Sequence, residues 1–245
     1  MNKTAIIIPS RLEALRLPNK PLELINKKEM ILHVYEAAKK TNAGEVYVAT
    51  PDQKILDIIK NNGGKAILTS LSHQTGTDRV YEVFKNKLKS YPDIIVNLQG
   101  DMPNIDPKSI SNLISYMKEG KADIGTLASS FNSDTEIADD NNVKVAVKEK
   151  LKLNQFSQAI DFFRTQSNYH KYFYHHVGIY AFTSKALVRY VGLKRSKLEL
   201  ERKLEQLRAL ENSMTIHIGY INSSPLSVDT KNDLIEVRKI MEKNG

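Results

Sequence analysis

The chain has 245 residues, of which 41% are hydrophobic and 26% are charged. This balance is typical of a globular protein and excludes a disordered chain, a collagen and a membrane span. At roughly 100–200 residues per domain, the length predicts a single domain over residues 1–245 rather than a string of modules.

The charge of the chain is basic. Lysine and arginine number 36 against 28 acidic residues, which gives a formal net charge of +8. A nucleic-acid binder concentrates such charge in a stripe with interleaved aromatic residues, whereas these lysines are spread among acids along the whole chain. We therefore expect no nucleic acid as a partner, and a solvated basic surface that attracts anionic small molecules.

Cysteine is absent, which excludes disulfides, thiolate catalysis, thiolate zinc sites and iron–sulfur clusters. The apolar run near the start is far too short for the core of a signal peptide, and no stretch approaches the ~18 apolar residues of a spanning helix. We expect a cytoplasmic protein that has no membrane partner.

Over the first half of the chain, short apolar runs alternate with segments of helical period. The predicted strands are Thr4–Ile8, Glu45–Ala49, Lys65–Leu68, Ile94–Leu98 and Ile124–Ala128. The predicted helices are a segment around Ile31–Ala38, then Gln53–Asn61, a helix capped by Thr77 that continues to Leu88, and Pro107–Met117. This alternation indicates βαβ units, hence an α/β protein with a mostly parallel sheet.

The segment at about 132–195 loses this alternation and predicts an insertion or subdomain. It holds an extended stretch at Val143–Val147 and a strand at Val177–Phe182. After it, Lys197–Leu210 predicts one helix, Thr215–Gly219 a strand and Asn232–Lys243 a closing helix.

Aromatic residues are enriched at interface cores, so the aromatic cluster of the segment 132–195 favours a subunit interface, with core packing as an equal alternative. The cluster consists of Phe162, Phe163, Tyr169, Tyr172, Phe173 and Tyr174.

Several familiar sites are missing: there is no Gly-x-Gly-x-x-Gly after the first strand, no P-loop, no Gly-x-Ser-x-Gly and no His-Glu-x-x-His. Ligands of open α/β sheets bind where strands end, which directs attention to the loops after Ile8 and Leu98. The first of these loops carries Arg11, Arg16 and Lys20 between prolines. It predicts either a solvated basic turn or a phosphate site.

Two aspartates are candidate metal ligands. Asp101 follows Gly100 at a strand end, and Mg²⁺ takes one or two carboxylates together with phosphate oxygens. The alternative for Asp101 is a turn residue that binds its own backbone. Asp229 lies just before the last helix, where the alternative is an N-cap.

Motifs in register along the chain resemble those of the 3-deoxy-manno-octulosonate cytidylyltransferases, also called CMP-Kdo synthetases. In chain order they read Ile7-Ile8-Pro9-Ser10-Arg11 with Arg16-Leu17-Pro18-Asn19-Lys20-Pro21-Leu22, His73-Gln74-Thr75-Gly76-Thr77-Asp78-Arg79, Asn97-Leu98-Gln99-Gly100-Asp101, Asn142-Val143-Lys144-Val145, His176-Val177-Gly178-Ile179-Tyr180, Leu204-Glu205-Gln206-Leu207-Arg208 and Val228-Asp229-Thr230. The resemblance covers essentially the whole chain.

This resemblance implies a three-layer α/β fold of the nucleotide-diphospho-sugar transferase type, in which helices cover both faces of a twisted sheet. It implies transfer of CMP from CTP to the anomeric hydroxyl of the sugar acid Kdo, with release of pyrophosphate, for lipopolysaccharide biosynthesis. It further implies Mg²⁺ as cofactor and a homodimer, with the segment 132–195 serving sugar-acid binding and dimerisation.

The resemblance also implies residue roles. Asp101 and Asp229 would bind Mg²⁺, while Arg11 and Lys20 would bind the triphosphate, and these four form the catalytic set. The remaining nucleotide-binding residues would be Pro9, Ser10, Thr75, Gly76, Arg79 and Gln99. The acceptor-binding residues would be Arg79, Gln99, Lys144, His176, Tyr180, Glu205 and Gln206. Whether Arg79 binds phosphate or carboxylate stays open.

Several positions depart from the family pattern: the segment Ala159-Ile160-Asp161-Phe162 lacks the family's Ile-Pro, and three other positions change a charged residue. Met102 and Arg202 each stand where relatives carry a glutamate, and Gln158 stands where they carry an arginine. The metal and triphosphate residues are intact, so these changes bear on the choice of sugar acid. The alternatives are amino-Kdo or a sialic acid as acceptor, another nucleotide as donor, or a non-catalytic descendant that binds nucleotide.

Overall fold

The structure is a computed structural model that describes residues 3–14, 16–88, 91–165 and 170–243. Its strands are β1 (Thr4–Pro9), β2 (Leu24–Ile25), β3 (Lys28–Glu29), β4 (Glu45–Thr50), β5 (Ala66–Leu68), β6 (Ile94–Asn97), β7 (Ile124–Ser129), β8 (Lys144–Val147), β9 (Phe156–Phe163), β10 (Phe173–Thr183) and β11 (Ile216–Tyr220). Its α-helices are α1 (Met30–Lys40), α2 (Gln53–Asn61), α3 (Gly76–Asn86), α4 (Pro107–Lys118), α5 (Asp134–Ala138), α6 (Ser184–Gly192), α7 (Lys197–Arg202), α8 (Gln206–Glu211) and α9 (Lys231–Lys243). Among the described residues, no helix combines the length and the apolar character needed to cross a membrane.

The chain divides into two units. The first holds the residues up to Ser111 and those from Pro225 onward, and the second holds Asn112–Ser224. The second unit contains the segment 132–195 and extends beyond it on both sides. A single domain with an insertion at that segment stays a prediction.

The first unit contains a parallel sheet in the order β5-β4-β1-β6. Every residue of the central strand β1 is buried, which explains why its sequence is a continuous apolar run rather than an alternation. The four strands lie within one residue of their predicted bounds, and α2 has the predicted bounds. Local hydrophobic period was therefore a sufficient signal for these four strands and for α2, whereas the short strands β2 and β3 were not predicted.

Helix α3 begins earlier than predicted, and Thr77 is not its cap. The hydroxyl of Thr75 accepts a hydrogen bond from the backbone of Asp78 and donates to its carboxylate. The spacing Thr-x-x-Asp suits a cap at Thr75, whereas the residue three places after Thr77 is the apolar Val80. The hydroxyl of Thr77 instead accepts a hydrogen bond from Asn97 at 3.3 Å.

A separate apolar cluster in the first unit holds the basic loop against the last helix. Its buried members are Leu17, Ile25, Met30, Val228, Leu234 and Val237. Leu17 lies three residues before Lys20, and Val228 lies next to Asp229. Burial of this cluster therefore brings two candidate site residues together from opposite ends of the chain.

The second unit contains a mixed sheet in the order β10-β7-β11-β9-β8. The pair β7 and β11 is parallel, and the remaining neighbours are antiparallel. The segment 132–195, for which the sequence predicted no alternation of strands and helices, contains α5, β8, β9, β10 and α6. Of these elements, β9 and the two helices were not predicted. Strand β10 is also longer than its predicted range.

The aromatic cluster of the second unit is largely part of its core. Phe162, Phe163 and Tyr174 are buried within the chain, and Tyr172 and Phe173 are half-buried. Tyr169 lies outside the described residues. Core packing accounts for the three buried rings, and the dimer interface stays a prediction.

The single helix predicted at Lys197–Leu210 is wrong. Helix α7 ends at Arg202, Lys203 takes a left-handed conformation with φ of 54°, and α8 begins at Gln206. Buried Glu199 receives two hydrogen bonds from Arg208, at 2.6 and 2.8 Å. Residues nine apart on one continuous helix lie on opposite faces, so this contact requires the chain to turn back.

We predict that Glu199→Gln lowers the free energy of unfolding by about 3–5 kcal/mol, because it leaves the buried Arg208 guanidinium without its counter-charge. Denaturant unfolding measures the effect. Glu201→Gln is the matched control, since its partner Lys197 lies 3.8 Å away and both side chains are exposed, and it should cost less than about 0.5 kcal/mol. Equal losses in the two variants would contradict this account.

Candidate active site

A cavity of about 280 Å³ lies in the first unit. Every residue that the sequence predicts to bind the nucleotide lines this cavity: Pro9, Ser10, Arg11, Lys20, Thr75, Gly76, Arg79, Gln99 and Asp101. The walls follow the carboxyl ends of β1 and β6, where ligands of parallel sheets bind. The basic loop is therefore part of a concave site and not only a solvated turn.

Two glycines allow the loops around this cavity to approach one another. A Cβ on Gly76 would lie 3.2 Å from Cγ of Pro9, and a Cβ on Gly100 would lie 3.2 Å from the carbonyl oxygen of Pro9. Both distances are shorter than ordinary side-chain contacts. Small residues at these positions thus keep the cavity walls close together.

Three cationic side chains line the cavity: Arg11, Lys20 and Arg79. Arg79 is buried, and its Nη1 donates hydrogen bonds to the hydroxyl of Thr69 and to the carbonyl oxygen of Ser70. Burial first, and then the field of Arg11, lower the pKa of Arg79. Because two guanidinium groups repel each other here, an anion in the cavity would be stabilised by both.

Two polar side chains that face the same cavity can each form a further hydrogen bond. The hydroxyl of Ser10 is buried and has no hydrogen-bond partner among the described residues. The amide nitrogen of Gln99 donates to Asn97, whose own amide donates to Thr77, so this relay leaves the oxygen of Gln99 as an acceptor. Buried polar groups are normally paired, which makes Ser10 a group that a ligand would satisfy.

The ammonium of Lys20 lies between the two candidate metal ligands. It donates to Oδ2 of Asp101 at 2.9 Å, to Oδ1 of Asp229 at 2.9 Å and to the carbonyl oxygen of Val228 at 3.0 Å. Burial by itself lowers the pKa of Lys20, but Asp101 and then Asp229 outweigh burial and raise it. Arg16, whose role the sequence did not reveal, also pairs with Asp229 at 2.9 Å.

The alternative interpretations of the two aspartates fail. The hydroxyl of Thr230 accepts from the backbone of Asp233, and the Asp233 carboxylate accepts from the backbone of Thr230, so these residues cap α9 and Asp229 does not. The side chain of Asp101 binds Lys20, from a distant loop, instead of its own backbone. Both carboxylates therefore point toward a shared cation position.

Asp101 and Asp229 suit Mg²⁺ better than a metal ion that takes all of its ligands from protein side chains. Among the described residues, no group of three or more histidine, aspartate or glutamate side chains could hold a metal. Mg²⁺ is commonly bound by one or two carboxylates, with phosphate oxygens and water as its other ligands. The donor set at Asp101 and Asp229 fits that pattern.

The residues predicted to bind the acceptor lie mostly in the second unit. The rings of His176 and Tyr180 lie 5.4 Å apart on β10. Burial, followed by Tyr190 and Glu205, raises the pKa of Tyr180 well above its ordinary value. Glu205 precedes α8, and Gln206, its first residue, is buried. The turn between α7 and α8 thus brings Glu205 into the field of Tyr180.

Lys144 is placed differently. It pairs with His175 in the register of β8 and β10, so its side chain lies on the face of His175 and opposite to that of His176. Its buried ammonium donates to the carbonyl oxygen of Asp139 at 2.7 Å. The structure does not bring Lys144 together with His176.

The three departures that change a charged residue have separate surroundings. Met102 is buried, and the side chain of Gln158 is exposed on β9. Arg202 donates to the carboxylate of Asp161 at 2.7 Å and to the carbonyl oxygen of Phe162 at 3.0 Å, and it thereby ties α7 to β9. A glutamate at position 202 would face Asp161 as a like charge.

The solved structure entitled CMP:2-keto-3-deoxy-manno-octonic acid synthetase complexed with CTP matches 99% of this chain and 100% of its own chain, with a TM-score of 0.90 and 36% identity. The fold and the site thus define an α/β nucleotidyltransferase, which confirms the predicted fold and enzyme class. A family model described as Cytidylyltransferase matches residues 5–216. The chain belongs to the 3-deoxy-manno-octulosonate cytidylyltransferase family.

Two curated relatives that carry the family name support this assignment. The enzyme of Rickettsia bellii is 43% identical over 98% of this chain and 96% of its own length. The enzyme of Brucella ovis is 40% identical over 99% of this chain and 97% of its own length. The similarity therefore spans both units.

We predict that His176 makes the protein less stable in mild acid. Burial and the neighbouring His175 lower the pKa of His176 from 6.5 to about 3. Between these values the unfolded chain binds a proton that the folded chain rejects, so stability falls as the pH falls below 6.5. At pH 5 this single group should cost about 2 kcal/mol relative to pH 7.

Urea unfolding at pH 7 and pH 5 measures this loss. His176→Gln should lose about 2 kcal/mol less than the wild type between the two pH values. His175 and His217, whose pKa values burial also lowers, are present in both proteins and cancel in the comparison. An identical loss in the variant would contradict the assignment to His176.

Proposed function

We propose that this chain transfers CMP from CTP to 3-deoxy-manno-octulosonate (Kdo), giving CMP-Kdo and pyrophosphate for lipopolysaccharide biosynthesis. The observation that carries the proposal is a cavity lined by three cations, Arg11, Lys20 and Arg79, and by Asp101. Lys20 pairs there with Asp101 and also with Asp229. Binding of a triphosphate requires positive charge of this kind. The names of the relatives indicate that the nucleotide is CTP and that the acceptor is Kdo.

The first unit would bind CTP. Arg11 and Arg79 offer guanidinium forks to phosphate oxygens, and the pKa-lowering repulsion between them is relieved when an anion binds. Helix α3 begins at Gly76 on the cavity wall, and its N-terminus adds the favourable end of the helix dipole. The unpaired hydroxyl of Ser10 and the oxygen of Gln99 would bind polar groups of the nucleotide.

The chemistry needs charge stabilisation and positioning rather than a protein nucleophile. The anomeric hydroxyl oxygen of Kdo attacks the α-phosphorus and its proton passes to solvent, while the bond from the α-phosphorus to the bridging oxygen breaks and its electron pair leaves on pyrophosphate. Negative charge grows on that leaving group. Lys20 and Arg11, at the cavity wall, would stabilise it.

Asp101 and Asp229 would hold Mg²⁺, with phosphate oxygens of CTP as further ligands. The bound ion would supply Lewis-acid stabilisation to the phosphates. The three hydrogen bonds of Lys20 now go to Asp101, Asp229 and Val228. Two N–H donors of Lys20 that now bind Asp101 and Asp229 would turn toward the phosphates when the carboxylates bind the metal.

The second unit would bind the acceptor. The hydroxyl groups of Kdo would bind to His176, Tyr180, Glu205 and Gln206, whose side chains together offer hydrogen-bond donors and acceptors. We further expect a homodimer in the cytoplasm. Sedimentation as a monomer at the working concentration would contradict the dimer.

A matrix of nucleoside triphosphates against sugar acids, with pyrophosphate release as the readout, tests the proposed function. CTP with Kdo should be the most active pair. Higher activity with amino-Kdo or a sialic acid would retain the cytidylyltransferase and replace the acceptor. Nucleotide binding without pyrophosphate release from any pair would identify a non-catalytic descendant and contradict the proposal.

We predict that Asp101→Asn and Asp229→Asn each lower kcat by about 10²–10³-fold, because each removes one of two anionic ligands for Mg²⁺. Titration of Mg²⁺ in the pyrophosphate assay measures the effect. Asp106→Asn is the control: among the described residues this exposed carboxylate accepts one local hydrogen bond, from the backbone of Lys108, which asparagine also accepts. Near wild-type turnover at limiting Mg²⁺ would remove that aspartate from the metal site.

A further inference from the structure

The hydroxyl of Thr126, on β7, lies within hydrogen-bond distance of three groups on β10. They are Nε2 of His176 at 3.0 Å, the carbonyl oxygen of Val177 at 3.1 Å and the carbonyl oxygen of Ile179 at 2.6 Å. All four groups belong to the second unit and are buried. The threonine was not among the residues that the sequence singled out.

Counting protons decides the direction of these hydrogen bonds. A hydroxyl has one proton to donate, and carbonyl oxygens only accept. The proton of Thr126 must therefore go to a carbonyl, and the one at 2.6 Å, of Ile179, is the nearer. The contact at 3.0 Å is then a hydrogen bond only if Nε2 of His176 carries a proton and donates it to Thr126.

The opposite arrangement is unfavourable. If Thr126 donated to Nε2 of His176, its oxygen would face two carbonyl oxygens at 2.6 and 3.1 Å without a proton between them. Unpaired buried acceptors cost free energy. Burial and His175 hold the pKa of His176 near 3, so its ring is neutral near pH 7 and carries a proton on one nitrogen only.

A second role of Thr126 concerns the bulge in the backbone of β10. The register of β7 and β10 shifts between Val177 and Tyr180, so that Tyr180 pairs with Thr126. The hydroxyl of Thr126 donates to the carbonyl oxygen of Ile179, which lies within this bulge. Four residues of regular strand span about 13 Å, yet the rings of His176 and Tyr180 lie 5.4 Å apart. Thr126 therefore stabilises the bulge that brings these two side chains together.

We infer that Thr126 is a positioning residue that fixes His176 as the Nε2–H tautomer, so that Nδ1 accepts a hydrogen bond from a hydroxyl group of the sugar-acid acceptor. The inference rests on the proposed function for the identity of that acceptor. Thr126 is the only hydrogen-bond partner of the ring among the described residues, which leaves Nδ1 available. The edge-on ring of Phe162, 5.2 Å away, packs against His176 and restrains its orientation.

The tautomer is tested on the free protein by ¹⁵N NMR of the histidine rings, with His176→Gln used to assign the signals. The wild type should carry its ring proton on Nε2 of His176. Thr126→Val should lose this single state, because the hydrogen-bond acceptor is gone, while Thr126→Ser keeps a hydroxyl and should retain it. A proton on Nδ1 in the wild type overturns the inference.

The functional consequence is tested by the kinetics of the same variants. Thr126→Val should raise the KM for Kdo about two- to tenfold, the size of one neutral hydrogen bond. The KM for CTP should stay within twofold, and Thr126→Ser should restore the KM for Kdo. If Thr126 only stabilised the fold, its replacement would lower the amount of folded enzyme and would not raise the KM for Kdo selectively over the KM for CTP. An unchanged KM for Kdo in Thr126→Val overturns the inference.

These experiments separate two kinds of failure. If the wild type releases no pyrophosphate from CTP and Kdo, the proposed function fails, and the NMR measurement still decides the tautomer. If the wild type is active and the variants behave alike toward Kdo, the role of Thr126 fails and the proposed function stands.

Discussion

The ion pairs of Lys20 are the interaction on which the candidate active site depends. Two carboxylates from separate loops converge on one position, and without a cation they would repel each other. Lys20 pairs with both carboxylates and uses its third donor on the carbonyl oxygen of Val228, while Arg16 supplies a second positive charge to Asp229. The apolar cluster that contains Leu17 and Val228 places the flanking backbone, so that hydrophobic burial supplies the framework for a highly charged site.

In the second unit, buried polar groups that require partners have a comparable organising effect. Glu199 and Arg208 satisfy each other across a turn, and that turn carries Glu205. Thr126 donates to a carbonyl on the strand bulge that separates His176 from Tyr180, whose rings lie 5.4 Å apart. In both cases a long-range hydrogen bond helps to determine where a residue proposed to bind the acceptor lies, because an unpaired buried polar group is costly.

Much of the fold and of the candidate nucleotide site was predictable from the sequence. Continuous apolar runs predicted the buried strands, because a strand covered on both faces needs no alternation. The loops after β1 and β6 were identified because strand ends form ligand sites in parallel sheets. The motifs in those loops pointed to Arg11 and Asp101, the family resemblance added Arg79, and all three line one cavity.

What the sequence by itself determined are features with a local cause: hydrophobic period, loop composition and short motifs. Only the tertiary structure decided the break between α7 and α8, the face on which Lys144 lies, and the capping of α9 by Thr230 instead of Asp229. Each of these features depends on a partner distant in sequence or on which of several adjacent polar groups completes a hydrogen bond. Such competition is resolved by burial and strand register, which no local pattern specifies.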